Sequence, residues 1–171
     1  MQLDSQSISL VFYPADVLRS RALEVDPSDP NVQAVAKRMM ELMVEHEGVG
    51  LAAPQVGLGW RLFVTRDPED SEKAIAWINP TLEVVNPEMV SAEEGCLSLP
   101  DILGGVGRPS GIKITGWNVH GEKAEMTSEE FIARVWQHEN DHLDGVLIID
   151  KMSAMDRLVN RRAIRQLERS V

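Results

Sequence analysis

Apolar residues recur at helical spacing early in the chain: Val32, Val35, Ala36, Met39, Leu42 and Met43 share one face of a 3.6-residue repeat. Asp29-Pro30 ahead of them reads as an N-cap followed by proline at the first helical position, and Gly48 stops the run, so a helix is predicted over 30 to about 47. The period then changes. Residues 61–65, 74–78, 81–85 and 112–117 are short apolar, β-branched runs separated by Pro, Gly and Asn turn signals, and are predicted as strands. Helical spacing returns at Phe131, Val135, His138 and His142, with Thr127 and Glu130 as a predicted capping box and Gly145 as the stop. A final helix is predicted from about Ala154 to the end, and residues 8–13, running into Pro14, form a strand or extended arm. This order predicts an α+β fold: mostly antiparallel β-sheet elements packed around a central helix, with an N-terminal and a C-terminal helix, over 1–171 as one domain.

Composition narrows the class. A chain of 171 residues, 43% hydrophobic and 26% charged, has the make-up of a soluble globular protein with a sizeable core. No basic stretch followed by an apolar one opens the chain, so no secretory signal is expected. No apolar run approaches the roughly 20 residues that span a bilayer, so no membrane association is expected. A lone cysteine cannot form an internal disulfide, which fits a cytoplasmic location. The net charge of −10 argues against a broad nucleic-acid-binding surface.

The candidate chemistry sits in His138-Glu139-Asn140-Asp141-His142. Imidazoles four residues apart on a helix lie one above the other and can reach one metal ion, with Glu139 beside it as a base. A catalytic site of this kind takes three protein ligands and keeps one position open. His46, His120 and Cys96 are the candidates for the third ligand. His46 reads as helix-end packing or capping and His120 as a turn residue, so Cys96, in Glu94-Gly95-Cys96-Leu97-Ser98, is favoured.

Three segments resemble, in order, the signature motifs of peptide deformylases: Gly48-Val49-Gly50-Leu51-Ala52-Ala53-Pro54-Gln55, Glu94-Gly95-Cys96-Leu97-Ser98 and Gln137-His138-Glu139-Asn140-Asp141-His142. Tyr13-Pro14 with Val17-Leu18-Arg19 is similar to that family's N-terminal segment. The resemblance implies hydrolysis of the N-formyl group from the initiator methionine of new polypeptides, releasing formate. It implies Cys96, His138 and His142 as metal ligands, with Fe(2+) as the ion and Zn(2+), Ni(2+) or Co(2+) able to substitute. Ligand type alone would have suggested zinc. It implies Glu139 as general base and acid, with Gln55 and the backbone N–H of Leu97 as oxyanion donors, each such donor being worth about 100- to 1,000-fold in rate. On the substrate side Gly50 lets a peptide backbone approach and pair. Val49, Phe131 and Val135 line the methionine pocket, and Glu94 is grouped with them. The protein is expected to act as a monomer on N-formyl-methionyl nascent peptides.

Two positions depart from the family pattern. Leu103 stands where many members carry an arginine, implying weaker binding of standard substrates or a shifted preference, and Arg134 stands where an apolar pocket residue is common. Arg157, Arg161, Arg162, Arg165 and Arg169 fall on an arc of roughly 140°, opposite Met152, Met155, Val159, Ala163 and Leu167. The family reading of that basic stripe is docking to ribosomal RNA. Two other readings stay open: a zinc peptidase, for which H-E-x-x-H is the hallmark, and a non-catalytic binding protein with a structural metal. Against the first, no histidine follows His142; against the second, Glu139 and Gln55 are both present.

Overall fold

The computed structural model describes residues 3–170; Met1 and Gln2 of the opening stretch and Val171 of the predicted terminal helix lie outside the described residues. Five strands form one antiparallel sheet in sequential order: β1 (Gly50–Ala52), β2 (Leu62–Arg66), β3 (Ala74–Cys96), β4 (Leu99–Trp117) and β5 (Lys123–Ser128). Helices α1 (Pro30–Glu45) and α2 (Phe131–Leu143) pack on it, followed by α3 (Ile148–Lys151), α4 (Ala154–Val159) and α5 (Arg161–Arg169). The α+β expectation holds.

Strand alternation decides which helix covers which face. Leu62, Val64, Ala76 and Ile78 point toward α1 and pack with Val35, Met39, Leu42 and Met43. The intervening Phe63 and Trp77 point the other way, against Ile132, Val135 and Trp136 of α2. Trp77 and Trp136 meet edge to face with centroids 6.2 Å apart. Each large side chain buried this fully stabilises the fold by about 1.5–3 kcal/mol before the entropy of ordering it.

The two predicted strands at 74–78 and 81–85 are one continuous β3, because the Asn79-Pro80 signal marks a register shift between Ile78 and Thr81 and not a turn. Asn79 sits at φ +50°, and its side-chain amide donates to Val25 O (2.7 Å) while accepting Val25 N–H (3.0 Å). Strand β4 likewise begins well before the predicted residue 112, and β3 and β4 close into a long hairpin whose turn is Leu97-Ser98. The extended arm at 8–13 is bonded to this turn and not to the sheet: Tyr13 N–H donates to Ser98 O and Ser98 Oγ to Val11 O.

The capping-box expectation fails. Thr127 is paired with Lys113 in the β4–β5 ladder, so the helix opens at Glu130, whose N–H is taken by Ser128 Oγ. Gly145 does close α2. It sits at φ +74°, and a Cβ there would meet Arg19 O at 2.6 Å, so only glycine fits. The predicted terminal helix is divided at Asn160, whose side chain donates to Leu103 O and Asp156 O. Met155, Leu158 and Val159 are exposed, although Met155 and Val159 lie opposite the arginine arc. Met152 and Ile164 are the buried anchors of this region.

Candidate metal centre and cleft

Two elements bring the candidate ligands together. Cys96 ends β3 at the hairpin turn, while His138 and His142 project from α2, packed alongside. Their ligand atoms lie within 4.8 Å of one another, with Cys96 Sγ 3.5 Å from His142 Nε2 and the two imidazole centroids 5.1 Å apart. His46, at the end of α1, and His120, in a turn, are exposed and stand outside this cluster.

Electrostatics favours a cation here. Burial alone would lower the pKa of His138, but interactions with Cys96, Glu94 and Glu139 push it up to about 10, so the surroundings call for a positive charge at that point. Burial, with the nearby charges of His138 and Arg108, holds His142 well below the usual value and so neutral, the form that binds metal. A thiol and two imidazoles are a donor set suited to a divalent transition metal, so the residues present fit one.

Glu139 is buried. Burial raises its carboxyl to about 7, and Oε2 has no hydrogen-bond partner among the described residues. Its nearest constraint is Gly50 at the start of β1. A Cβ on Gly50 would meet Glu139 Oε1 at 2.7 Å, so glycine is what lets the edge strand lie against the carboxylate. Gln55 is fixed by its own loop. Its Oε1 accepts Ala52 N–H (2.9 Å), which turns Nε2 toward Ser98 Oγ (3.2 Å) and Cys96 Sγ (3.5 Å). Leu97 sits in the hairpin turn, where its N–H donates to no backbone acceptor among the described residues.

Glu94 differs from its expected place among the substrate contacts. It lines the cleft, but its carboxylate is fully engaged with protein groups: Oε1 takes His138 Nδ1–H (2.9 Å) and Arg108 (2.9 Å), and Oε2 takes Arg108 (2.7 Å) and Arg134 (2.7 Å). Burial would raise its pKa, but these bonds and the charge of Arg108 hold it well below the usual carboxylate range. The contact to Nδ1 fixes the imidazole and leaves Nε2 as its free nitrogen, the one that could reach an ion. Sequence reasoning missed this role and Arg108's part in it; a Glu two residues before a candidate Cys ligand was the available signal.

Gly50, Gln55, Glu94, Cys96, Leu97, His138 and Glu139 line a cleft of about 650 Å³. Gly50, Gln55 and Val135 are buried at its floor, while Val49, Leu103 and Phe131 are exposed at its mouth. The predicted stripe is therefore split, with Phe131 65% exposed and Val135 buried.

A cleft whose floor calls for a cation, with a buried carboxylate poised near neutral pH beside it, is what a metal-dependent hydrolase requires, and that is the class the fold and the site define. Comparison with known proteins narrows it. Residues 8–158 match the family model of polypeptide deformylase. A peptide deformylase of Thermotoga petrophila is 44% identical over 91% of this chain and 93% of its own, and one of Borreliella burgdorferi 41% over 84% and 86%. Among solved structures, an Arabidopsis thaliana peptide deformylase superposes with a TM-score of 0.87 at 34% identity, covering 95% of this chain and 91% of that one. The Thermotoga maritima enzyme gives 0.79 at 44%, covering 85% and 97%. The chain belongs to the peptide deformylase family, metal-dependent hydrolases that remove the N-formyl group from nascent peptides. This decides against both the peptidase and the non-catalytic reading. No helix among the described residues is long and apolar enough to cross a membrane.

Proposed function

We propose that Cys96, His138 and His142 hold a divalent ion, Fe(2+) by family resemblance, and that Glu139, Gln55 and the Leu97 N–H carry the deformylation of formyl-methionyl peptides. The observation that supports this reading best is the partnerless carboxylate of Glu139 next to a thiol and two imidazoles within 4.8 Å of each other. A divalent ion, when bound, supplies Lewis acidity that lowers the pKa of a water from 15.7 toward about 7. Glu139 takes the proton released as water oxygen adds to the formyl carbon. The carbon–nitrogen bond then breaks, and Glu139 returns the proton to the departing amine, leaving formate. Gln55 Nε2, held by its bond to Ala52, and the Leu97 N–H are the donors for the negative charge that builds on the formyl oxygen.

The substrate backbone pairs with the open edge of β1 at Gly50, β1 being the outermost strand of the sheet. The methionine side chain enters among Val49, Phe131 and Val135. Leu103 contributes apolar surface at the mouth, and Arg134, the one arginine lining the cleft among the described residues, is bound to Glu94. Mass analysis of products from a formyl-Met tripeptide tests this reading. The expected result is loss of the formyl group alone; cleavage of an internal peptide bond, or an intact peptide beside metal-loaded protein, would overturn it.

We further propose a cytoplasmic monomer that docks on the ribosome through α5. Arg161, Arg162, Arg165 and Arg169 line one groove there with Leu158, Val159 and Gln166, and phosphate contacts are the chemistry such a groove offers. Reversing Arg161, Arg165 and Arg169 to Glu is expected to weaken co-sedimentation with ribosomes and leave hydrolysis of free tripeptide unchanged. Unchanged co-sedimentation would sink the docking proposal. Charge reversal is preferable to truncation, because deletion would also remove Asn160 and Ile164, which anchor the region.

A further inference from the structure

Arg134 makes a well-defined set of contacts at the edge of the cleft. Its side chain rises from α2, is only 11% exposed, and donates to three acceptors: Glu94 Oε2 (2.7 Å), Val106 O (2.8 Å) and Val90 O. Val90 belongs to β3 and Val106 to β4, so one guanidinium fastens both strands of the hairpin to the helix. The candidate metal centre is divided in the same way, with the thiol on the hairpin and both imidazoles on the helix. Other polar links between helix and hairpin include Arg108–Asp141, Gln137–Pro109 O, His138–Glu94 and the 3.5 Å contact of Cys96 Sγ with His142 Nε2.

We propose that Arg134 is a positioning residue for the metal centre, a strap that sets the spacing between the Cys96 thiol and the imidazoles of His138 and His142. The inference rests on the ligand reading given above. A lysine could not replace the strap, because Nη1 serves Glu94 and Val106 while Nη2 serves Val90, and a single ammonium nitrogen cannot stand at both places. Charge alone argues the opposite way, since a guanidinium repels a nearby cation. But Glu94 and Asp141 together offset the charges of Arg134 and Arg108, so an ion feels a weakened field and not that of a bare guanidinium. Position outweighs repulsion, and removing the side chain loosens the ion.

The test uses full-length protein loaded with Co(II), whose thiolate-to-cobalt absorption reports the Cys96 bond. Wild type, Arg134→Leu and Arg134→Lys are mixed with excess chelator and cobalt release is timed, with thermal unfolding measured in parallel. Release from the leucine variant is expected to be about 10- to 100-fold faster, with a shifted thiolate band, and the lysine variant should resemble leucine more than wild type. Wild-type release from the leucine variant, whatever its unfolding temperature, would overturn the proposal and leave Arg134 a merely structural tie. Slower release would show that repulsion dominates, and a lysine variant matching wild type would show that charge alone suffices; either overturns it. Should the leucine variant not fold, the lysine variant decides by the same two criteria. Cobalt bound by wild type without a thiolate band would refute the ligand set itself, and the strap with it.

Discussion

Glu139→Gln is expected to lower formate release by about 10²- to 10⁴-fold while the protein keeps its full complement of metal. Glutamine has the same shape, which matters where Gly50 leaves no room for anything larger. It forfeits no hydrogen bond at Oε2, since that oxygen has no partner among the described residues. What it loses is the ability to take a proton. The variant should be no less stable. In the metal-free protein burial raises the Glu139 pKa to about 7, from an ordinary value of 4.5. The folded state therefore holds a proton that the unfolded state has released, and stability falls as pH rises from about 4.5 to 7. The amide does not titrate and escapes that loss. Formate release and bound metal, measured on one preparation, check the prediction. Near-wild-type turnover, or loss of metal in parallel with activity, would contradict it.

Glu94→Ala is expected to cost about 3–5 kcal/mol of stability and to weaken metal binding by about 10- to 100-fold. Arg108 is 2% exposed and gives two of its donors to Glu94, so removing the carboxylate strands a buried guanidinium. Asp141, at 2.9 Å, relieves part of that charge, and Lys151 already shares Asp141. The imidazole of His138 loses the acceptor that orients it. Glu94→Gln keeps one acceptor oxygen and should fall between alanine and wild type on both measures. Denaturant unfolding and a competition titration against a coloured chelator read the two effects separately. A glutamine variant as unstable as alanine would point to charge, and not to the hydrogen bond to His138, as the dominant contribution.

The sequence made the chemistry more legible than the architecture. His138, Glu139 and His142 were readable because four-residue spacing on a helix has one geometric meaning. Their partner Cys96 was harder, since its proximity depends on a hairpin whose strands are rich in weak strand formers such as Glu93-Glu94 and Gly104-Gly105. Those residues pair through long-range backbone bonds that local pattern does not encode, so β3 and β4 were read only in fragments. Thr127-x-x-Glu130 misled for the same reason: a cap signature lost to a strand ladder. The wheel placed Phe131 with the histidines on one inward stripe, but α2 has two buried margins, one on the sheet and one on the cleft. Ile132, Trp136, Glu139 and Leu143 face the protein interior, and Phe131 stays at the rim. Arg134 stands out only as a departure from the pattern the chain resembles; its three acceptors lie on two strands that sequence spacing could not bring to it.

The central claim is that one ion held by Cys96, His138 and His142 makes this chain a deformylase. The direct measurement strips the protein with chelator, titrates Fe(2+) back anaerobically, and follows formate release from a formyl-Met tripeptide at each addition. The expected curve rises in proportion to added iron and breaks to a plateau at one ion per chain, and Cys96→Ala shows no such break. Formate release that persists in stripped protein, or a plateau that Cys96→Ala reaches at the same stoichiometry, would contradict it.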